Sequence, residues 1–332
     1  MSESEQPERG DRDRLIRWVG VGISVVSLAG VIIWASRQDA PTFPQSPAEI
    51  AALLGAVAIV AVAMALRGER TQRLLIRAEA EPDRRDSYAL TAVNFMGNAV
   101  LPARGGDAIR AYLQAPRART SVRNVVGVMV AERVLDAAFL ITLFVTLAYV
   151  VLRGIDAPGG ARVGIALAAV AAAAVVAFIV LRLSRDHPRV RAALDWLAPM
   201  AAATRRLRGR HGAAMAAMTA AIWICEALAY FTVGIASEVD LSIVESLYLV
   251  GLASVFVLIP SGPGYIGTFD AAIVLGVRAI GGEGGEALSY AILLRFVLLV
   301  PVTAVGLLLV ITRYGGFGLL RGTSALRGER SQ

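Results

Sequence analysis

The chain has 332 residues, of which 56% are hydrophobic and 18% charged, with a formal net charge of +7. This composition excludes an ordinary soluble domain, and several apolar runs reach the roughly 17 to 25 residues that a helix needs to cross a bilayer. We predict an all-α polytopic integral membrane protein with about six full transmembrane helices and two re-entrant hairpins. The lone cysteine excludes an internal disulfide, and the two histidines lack ligand-like spacing, so we expect neither metal nor cofactor.

Residues 1–17 are predicted to form a cytoplasmic tail because they carry several arginines just before the first apolar run. That run, residues 18–34, has tryptophans at both edges, as suits the two membrane interfaces. A cleaved signal peptide is the alternative, but no convincing small-residue cleavage site follows, which favours an uncleaved anchor. The second span is predicted at residues 47–66, and the charged stretch at 67–85 is predicted to be a cytoplasmic loop.

Four more apolar runs are long enough to span the membrane: residues 124–152, 163–183, 213–236 and 287–312. Arginine content alternates between the connecting segments. It is high at 67–85, 117–123 and 182–210, and low at 37–46, 153–162, 237–242 and 281–286. By the positive-inside rule both termini are cytoplasmic, including a tail at 314–332, and residues 18–313 form one transmembrane domain.

Two apolar stretches remain, at about residues 88–115 and 243–280. The first begins and ends next to basic, cytoplasmic segments, and the second begins and ends on the outer side. Each is broken by proline and glycine, which is tolerable at membrane depth only inside protein or along a wet cavity. We therefore predict two re-entrant hairpins that enter from opposite faces.

The two hairpins look like halves of an inverted repeat. Pro102 is followed by a glycine pair and Asp107, and then by a span that carries Arg133. Pro260 is followed by three glycines, an acid and a span that carries Arg295. Each of these arginines would lie roughly 12 Å deep at 1.5 Å of rise per residue. Paired broken segments in opposite topology point to a transport site near the midplane.

Ionisable side chains at membrane depth cost roughly 2.5 to 3.5 kcal/mol each on insertion, so they are functional candidates. Acids and arginines are nearly matched in number here, which predicts an ion-pair network around a polar cavity. Within it Glu132 and Asp136 share a helix face, and Arg133 and Asp136 can pair. A structural role, in which the network only locks helices together, stays open. The set consists of Arg104, Asp107, Arg110, Glu132, Arg133, Asp136, Glu226, Asp270, Arg278 and Arg295.

A phosphate-bearing substrate would use what the hairpins offer: arginines that bind phosphate oxygens bidentately, and exposed backbone N–H groups at broken helix ends. Arg104, Arg133 and Arg295 are the candidates for that contact. Asn94 and Asn98 lie on one face of the first approach helix and could add hydrogen bonds, or could instead bond neighbouring helices.

A literal G-x-G-x-x-G occurs at Gly262, Gly264 and Gly267, the spacing of a dinucleotide-binding loop. That function needs a strand before the loop and a soluble βαβ unit around it, whereas a membrane run precedes this one. The glycines are therefore predicted to form a hairpin tip.

The run "NFMGNAVLPARGGDAIR" resembles the first motif of the lysylphosphatidylglycerol synthase transmembrane-region family, also called flippase-like. "ERVLD", "PSGPGYIGTFD" and "LLR", which ends at Arg295, follow in the family's order. The chain departs from the family's pattern at Asp107 and Asp270, where glutamate is usual. Bifunctional members fuse this lipid-flipping domain to a cytosolic aminoacyltransferase, and we expect this chain to be a stand-alone member.

The resemblance implies a lipid flippase of the bacterial plasma membrane that moves an anionic or aminoacylated phospholipid, or a prenyl-phosphate-linked lipid. Nucleic acid is not expected as a partner, whereas an envelope glycosyltransferase or lipid synthase is. The alternatives are an integral membrane transferase with Asp107, Glu132 or Asp270 as base, and a scaffold for such a glycosyltransferase. The predicted headgroup cavity comprises Asn94, Asn98, Pro102, Arg104, Asp107, Arg110, Glu132, Arg133, Asp136, Glu226, Pro260, Gly264, Gly267, Asp270 and Arg295.

Overall fold

The computed structural model describes residues 43–101, 104–152, 209–257 and 263–314. All regular structure within these ranges is helical, which confirms the predicted all-α class for this part of the chain. The helices are α1 (Pro47–Arg77), α2 (Arg84–Val100), α3 (Gly105–Arg117), α4 (Val122–Leu152), α5 (Arg210–Ala236), α6 (Ile243–Phe256), α7 (Thr268–Ala279) and α8 (Gly284–Arg313), with a 3-10 turn at Pro263–Tyr265.

Helix α1 begins at a capping box and continues well beyond the predicted span. Ser46 accepts a hydrogen bond from the backbone N–H of Glu49, whose side chain accepts from the backbone of Ser46 in return. The prediction of a loop from residue 67 onward is wrong, because the helix continues to Arg77. It continues because Arg67 and Arg70 are buried against acids from other helices.

Three of the helices, α1, α5 and α8, are long and apolar enough to cross a membrane by length and composition. Large apolar side chains point outward along them, among them Leu54, Ile235 and Leu308. Exposed apolar surface along long helices fits contact with lipid tails rather than water. The protein is therefore a helical, multi-pass membrane protein.

Four shorter helices form two helix-turn-helix pairs at the predicted hairpins. Helices α2 and α3 pack so closely that a Cβ at Gly106 would lie 2.0 Å from the carbonyl oxygen of Asn94. Helices α6 and α7 meet where a Cβ at Gly276 would lie 2.4 Å from Leu249 Cδ2. With 13, 14 and 12 residues, α3, α6 and α7 measure roughly 18 to 21 Å, shorter than a hydrocarbon core of about 30 Å.

The lengths of the helices repeat along the chain. Helices α2, α3 and α4 have 17, 13 and 31 residues, and α6, α7 and α8 have 14, 12 and 30. Asp107 and Asp270 are each the third residue of the second helix in their hairpins. Arg133 and Arg295 are each the twelfth residue of α4 and α8. The halves thus place the same residue types at the same helical positions.

Helix α1 packs against α2, α4, α5 and α8. The largest apolar cluster joins α1, α5, α6, α7 and α8 and includes Tyr290, which is fully buried. Tyr290 donates a hydrogen bond to the carbonyl oxygen of Tyr230 (3.0 Å), so its hydroxyl is satisfied. The core therefore ties the second hairpin to α1 and α5.

The end of α8 is fixed to the beginning of α2. Arg313 donates to Asp86 (2.9 Å), and the Tyr314 hydroxyl donates to the same carboxylate (2.9 Å). Burial raises the pKa of Tyr314 and the hydrogen bond to Asp86 raises it further, so the phenol stays a donor at neutral pH. Nearby, Glu81 donates its backbone N–H to Ala118 (2.9 Å), so the two ends of the first hairpin are adjacent.

Several predictions concern residues outside the described ranges: the tail at 1–17, the spans at 18–34 and 163–183, Pro102, Pro260 and nearly all of the tail at 314–332.

Candidate functional site

The first hairpin tip, where α2 ends and α3 begins, is organised around Asp107. Asn94 and Asn98, one turn apart on α2, both donate from Nδ2 to Oδ1 of Asp107 (2.7 and 3.0 Å). A carboxylate in the first turn of α3 also interacts favourably with the positive end of that helix. The two asparagines therefore hold the hairpin together, which is the helix-to-helix role left open by the sequence.

Arg104 immediately precedes α3 and has a left-handed backbone conformation with φ of 55°. This conformation is strained for a residue other than glycine, and such strain tends to cluster at functional sites. Its side chain is 42% exposed, with Nε 3.7 Å from Oδ2 of Asp107, beyond hydrogen-bond distance. Arg104 is thus a loosely held cation at the first tip.

The second hairpin tip, residues 263–267, is held by Arg295 of α8. Arg295 donates from Nε to Oδ1 of Asp270 (2.6 Å) and from Nη1 to the carbonyl oxygen of Gly264 (3.1 Å). Its guanidinium lies 5.4 Å from the ring centroid of Phe269. The other oxygen of Asp270 accepts from the backbone N–H of Gly267 (2.9 Å). One arginine therefore connects the tip, the following helix and α8.

The two tips meet. A Cβ at Gly264, whose φ is +64°, would lie 3.2 Å from the carbonyl oxygen of Ala99 at the end of α2. Helices α3 and α7 both begin at this junction, so two positive helix ends and the Arg104 and Arg295 side chains lie around it. One donor there, Nη2 of Arg295, is buried without a hydrogen-bond partner among the described residues. The junction therefore combines two positive helix ends with a donor that no described residue satisfies.

The remaining charged residues form a separate set, which we call the buried charge layer: Arg67, Arg70, Arg110, Glu132, Asp136 and Glu226. Arg110 of α3 donates to both oxygens of Glu132 on α4 (2.9 and 2.8 Å). Thr71 of α1 donates to Glu132 (2.6 Å), and Gln114 accepts from Nε of Arg110 (3.1 Å). Arg110 and Glu132 are 3% and 4% exposed, so this pair is enclosed in protein.

Asp136 is held chiefly by a residue that the sequence had placed in a loop. Arg70 donates to both its oxygens (2.7 and 3.2 Å), and Trp223 donates from Nε1 (3.3 Å). Arg70 also donates to Thr219 of α5 (2.9 Å). The predicted partner, Arg133, lies 3.7 Å away. The ion pair between Arg133 and Asp136 that their spacing predicts is therefore present, but it is longer than the pair between Arg70 and Asp136.

Glu226 of α5 forms an ion pair with Arg67 of α1. The Arg67 guanidinium lies 5.3 Å from the ring centroid of Phe95 and 5.9 Å from that of Trp223, so it is also stabilised by cation–π contacts. The buried charge layer thus matches three arginines with three acids. It joins α1, α3, α4 and α5, which is the structural role that sequence reasoning left open.

Arg67, Arg70 and Thr71 were missed because a charged stretch after an apolar run normally leaves the membrane. A signal was nevertheless present. Their spacing of three and four residues places all three on one helix face.

Arg133 lies next to the layer without being part of it. Its side chain is 47% exposed, and it makes no hydrogen bond to the described residues. Glu132 and Asp136 on either side of it turn inward to Arg110 and Arg70. Arg133 is therefore an accessible cation on α4.

Asp107, Glu132 and Asp270, the three candidate bases, each accept at least two hydrogen bonds from Asn, Thr, Arg or backbone donors. No cluster of His, Cys, Asp and Glu suited to a metal ion occurs among the described residues. The three carboxylates are therefore engaged in contacts that hold helices together.

The sequence pattern of one family, the lysylphosphatidylglycerol synthase TM region, matches residues 17–306. The chain belongs to this family. Membership associates it with membrane lipids and, together with the three long apolar helices, with a multi-pass membrane location. Neither the curated proteins nor the solved structures contain a match to it.

The four family-like motifs fall on the two parts of this site. "NFMGNAVLPARGGDAIR" runs along the end of α2 and into α3, and "PSGPGYIGTFD" runs through the second tip into α7. "LLR" lies in α8 and supplies Arg295, whereas "ERVLD" lies in α4 and supplies two acids of the buried charge layer. Three motifs of this family member therefore build the tip junction and the fourth connects to the layer.

Proposed function

We propose that this protein moves a phospholipid or a lipid-linked intermediate across the bacterial plasma membrane, with the headgroup bound where the two hairpin tips meet. The observation that carries the proposal is the close approach of Gly264 to the carbonyl oxygen of Ala99, which brings two broken helical pairs together at one point. Broken helices that meet in opposite topology are a common architecture of membrane transport sites.

The chemistry of the junction supports binding of a phosphate group. Arg104 is exposed, and Nη2 of Arg295 has no hydrogen-bond partner among the described residues, so both side chains would have donors left for phosphate oxygens. Two helix N-termini add partial positive charge and backbone N–H groups. The acyl or prenyl tails would stay in lipid while the headgroup passes the junction, and rocking of the halves would expose it to each side in turn.

The alternative, a transferase that modifies a lipid headgroup, has less support. A general base needs a free lone pair within reach of the proton that it removes. Asp270 uses both of its oxygens and Asp107 its Oδ1 to hold the hairpin tips, and Glu132 is enclosed by Arg110 and Thr71. Lipid analysis of cells with and without the gene separates the two functions: a new headgroup indicates the enzyme, and altered leaflet exposure alone indicates transport.

Purified protein in liposomes tests the proposal directly. We expect a fluorescent phospholipid in the inner leaflet to reach the outer leaflet, measured by dithionite quenching, faster than in protein-free liposomes. Prenyl-phosphate lipids are assayed in parallel. Exchange no faster than in empty liposomes for every lipid would refute transport.

Replacing Arg295 with glutamine should lower the transport rate by about tenfold or more, because each charge-assisted hydrogen bond contributes about 1.5 to 3 kcal/mol. Arg133→Gln should also lower transport while leaving folded protein in the membrane, since Arg133 is exposed. Arg119→Gln is the control, because Arg119 is exposed and pairs only with exposed Glu81 among the described residues. If Arg295→Gln and Arg133→Gln both transport at the wild-type rate, the headgroup binds elsewhere.

Cysteine labelling tests whether the hairpins are re-entrant and line a cavity. Single cysteines at Ala99 and Tyr265, in a Cys225→Ser background, should react with membrane-impermeant reagents added to the aqueous phase. A cysteine at Val62, exposed on the apolar stretch of α1, should not react, since it would face lipid. Complete lack of reaction at both tips in every condition would contradict the re-entrant arrangement.

A further inference from the structure

The charges at membrane depth do not cancel. In the buried charge layer Arg67 pairs with Glu226, Arg70 with Asp136 and Arg110 with Glu132, so its net charge is zero. At each tip one arginine lies next to one acid: Arg104 next to Asp107, and Arg295 of α8 next to Asp270. Arg278, the other ionisable residue of the predicted set, lies in the last turn of α7, the end of that helix away from the tip. Among the charged residues of the layer and the two tips, taken together with Arg133, Arg133 is therefore one cation in excess.

Arg133 would be neutralised if Asp136 were free to pair with it, since the two are three residues apart on α4. Arg70 prevents this. It binds both Asp136 oxygens at 2.7 and 3.2 Å, whereas the nearest Arg133 nitrogen lies at 3.7 Å. The two cations therefore compete for one carboxylate, and Arg70 has the shorter bonds.

From this balance we infer that Arg70 acts as a positioning residue that keeps Arg133 available, and that the transported headgroup carries a net negative charge. The inference rests on the proposed function and narrows its substrate class. A phosphodiester or phosphomonoester lipid without a compensating amine would neutralise Arg133, whereas an aminoacylated phospholipid with net positive charge would add to the excess. An unneutralised charge at membrane depth is costly, so the anionic lipid is preferred.

The test uses the full-length protein in liposomes and three lipids labelled on the acyl chain: phosphatidylglycerol, zwitterionic phosphatidylcholine, and lysyl-phosphatidylglycerol, whose two amines outweigh its phosphate. We expect the phosphatidylglycerol rate to exceed the lysyl-phosphatidylglycerol rate by about tenfold, the discrimination typical of one charge-assisted contact. Arg133→Gln should reduce this ratio toward one, and Arg119→Gln should leave it unchanged.

The positioning role of Arg70 is tested by rescue. Arg70→Gln leaves Asp136 to pair with Arg133, so the ratio should fall as it does in Arg133→Gln. Adding Asp136→Asn removes the competing carboxylate, so the double variant should regain the wild-type ratio. The double variant replaces both partners and so leaves no unpaired buried charge. It can therefore still be assayed if Arg70→Gln alone fails to fold.

Each outcome decides between the two proposals. If lysyl-phosphatidylglycerol moves as fast as phosphatidylglycerol or faster, the inference about headgroup charge is wrong, but the proposed transport function is still supported. A double variant that folds but keeps the low ratio overturns the role of Arg70. If neither the three lipids nor the prenyl-phosphate lipids move faster than in protein-free liposomes, the proposed function fails and the inference fails with it.

Discussion

Replacing Gly106 with alanine is expected to destabilise the first hairpin severely, by more than about 3 kcal/mol, because overpacking against backbone has no easy relief. The new Cβ would lie 2.0 Å from the carbonyl oxygen of Asn94 and 2.6 Å from the backbone nitrogen of Asn98. Helix α3 would have to move away from α2, which would also break the bonds from the two asparagines to Asp107. Thermal unfolding in mild detergent, followed by gel filtration of the soluble fraction, measures the loss.

Gly55→Ala is the matched control. Gly55 lies within α1, and a Cβ there would meet only Thr232 Cγ2 at 3.8 Å, an ordinary contact. Alanine is favoured over glycine in a helix by about 1 kcal/mol, so this variant should be as stable as the wild type or slightly more stable. If Gly106→Ala melts at the same temperature as Gly55→Ala, the close packing of α2 on α3 is wrong.

The second large effect is expected in the buried charge layer. Glu132→Gln and Arg110→Gln should each destabilise the protein by about 3 to 5 kcal/mol, because each leaves one buried charge without its partner. The double variant should lose less than either single variant, since two neutral amides replace the ion pair. Arg110 and Glu132 share two hydrogen bonds and Thr71, so their effects should not add.

Unfolding of all four members of this double-mutant cycle in the same detergent measures the coupling. Additive losses would show that the two side chains do not depend on each other. The same protein samples should also be assayed for transport. A double variant that is stable and transports at the wild-type rate would separate the layer from the headgroup site, as the geometry indicates.

The breaks between α2 and α3 and between α6 and α7 were predictable because their signal is local, whereas the re-entrant arrangement stays a prediction. Proline and glycine interrupt apolar runs that are too short to cross a bilayer, and the arginine pattern of the flanking segments indicates which side each run starts from. Asp107 and Asp270 could likewise be placed at the tips, because each follows the interrupting glycines by a few residues. Their partners could not be assigned, because an acid can be held by several nearby donors and only packing selects among them.

The prediction for residues 67–85 was wrong for a related reason. Arg67 and Arg70 look like residues that mark the end of a span, since an isolated arginine at membrane depth is costly. That cost is removed by Glu226 and Asp136, which are contributed by helices far away in the sequence. A loop and a continued buried helix therefore have the same local sequence signature.

The sequence by itself determined the helical membrane class, the two interrupted segments and the residues able to carry charge at depth, because hydropathy, chain breakers and charge act over short distances. Only the tertiary structure decided which of those charges cancel. Three of the candidates, Arg110, Glu132 and Asp136, lie in a closed layer, whereas the Arg104 and Arg133 side chains stay exposed and lie 3.7 Å from the nearest acid. Ion pairing depends on distances of a few ångströms between helices, which no single segment of the sequence specifies.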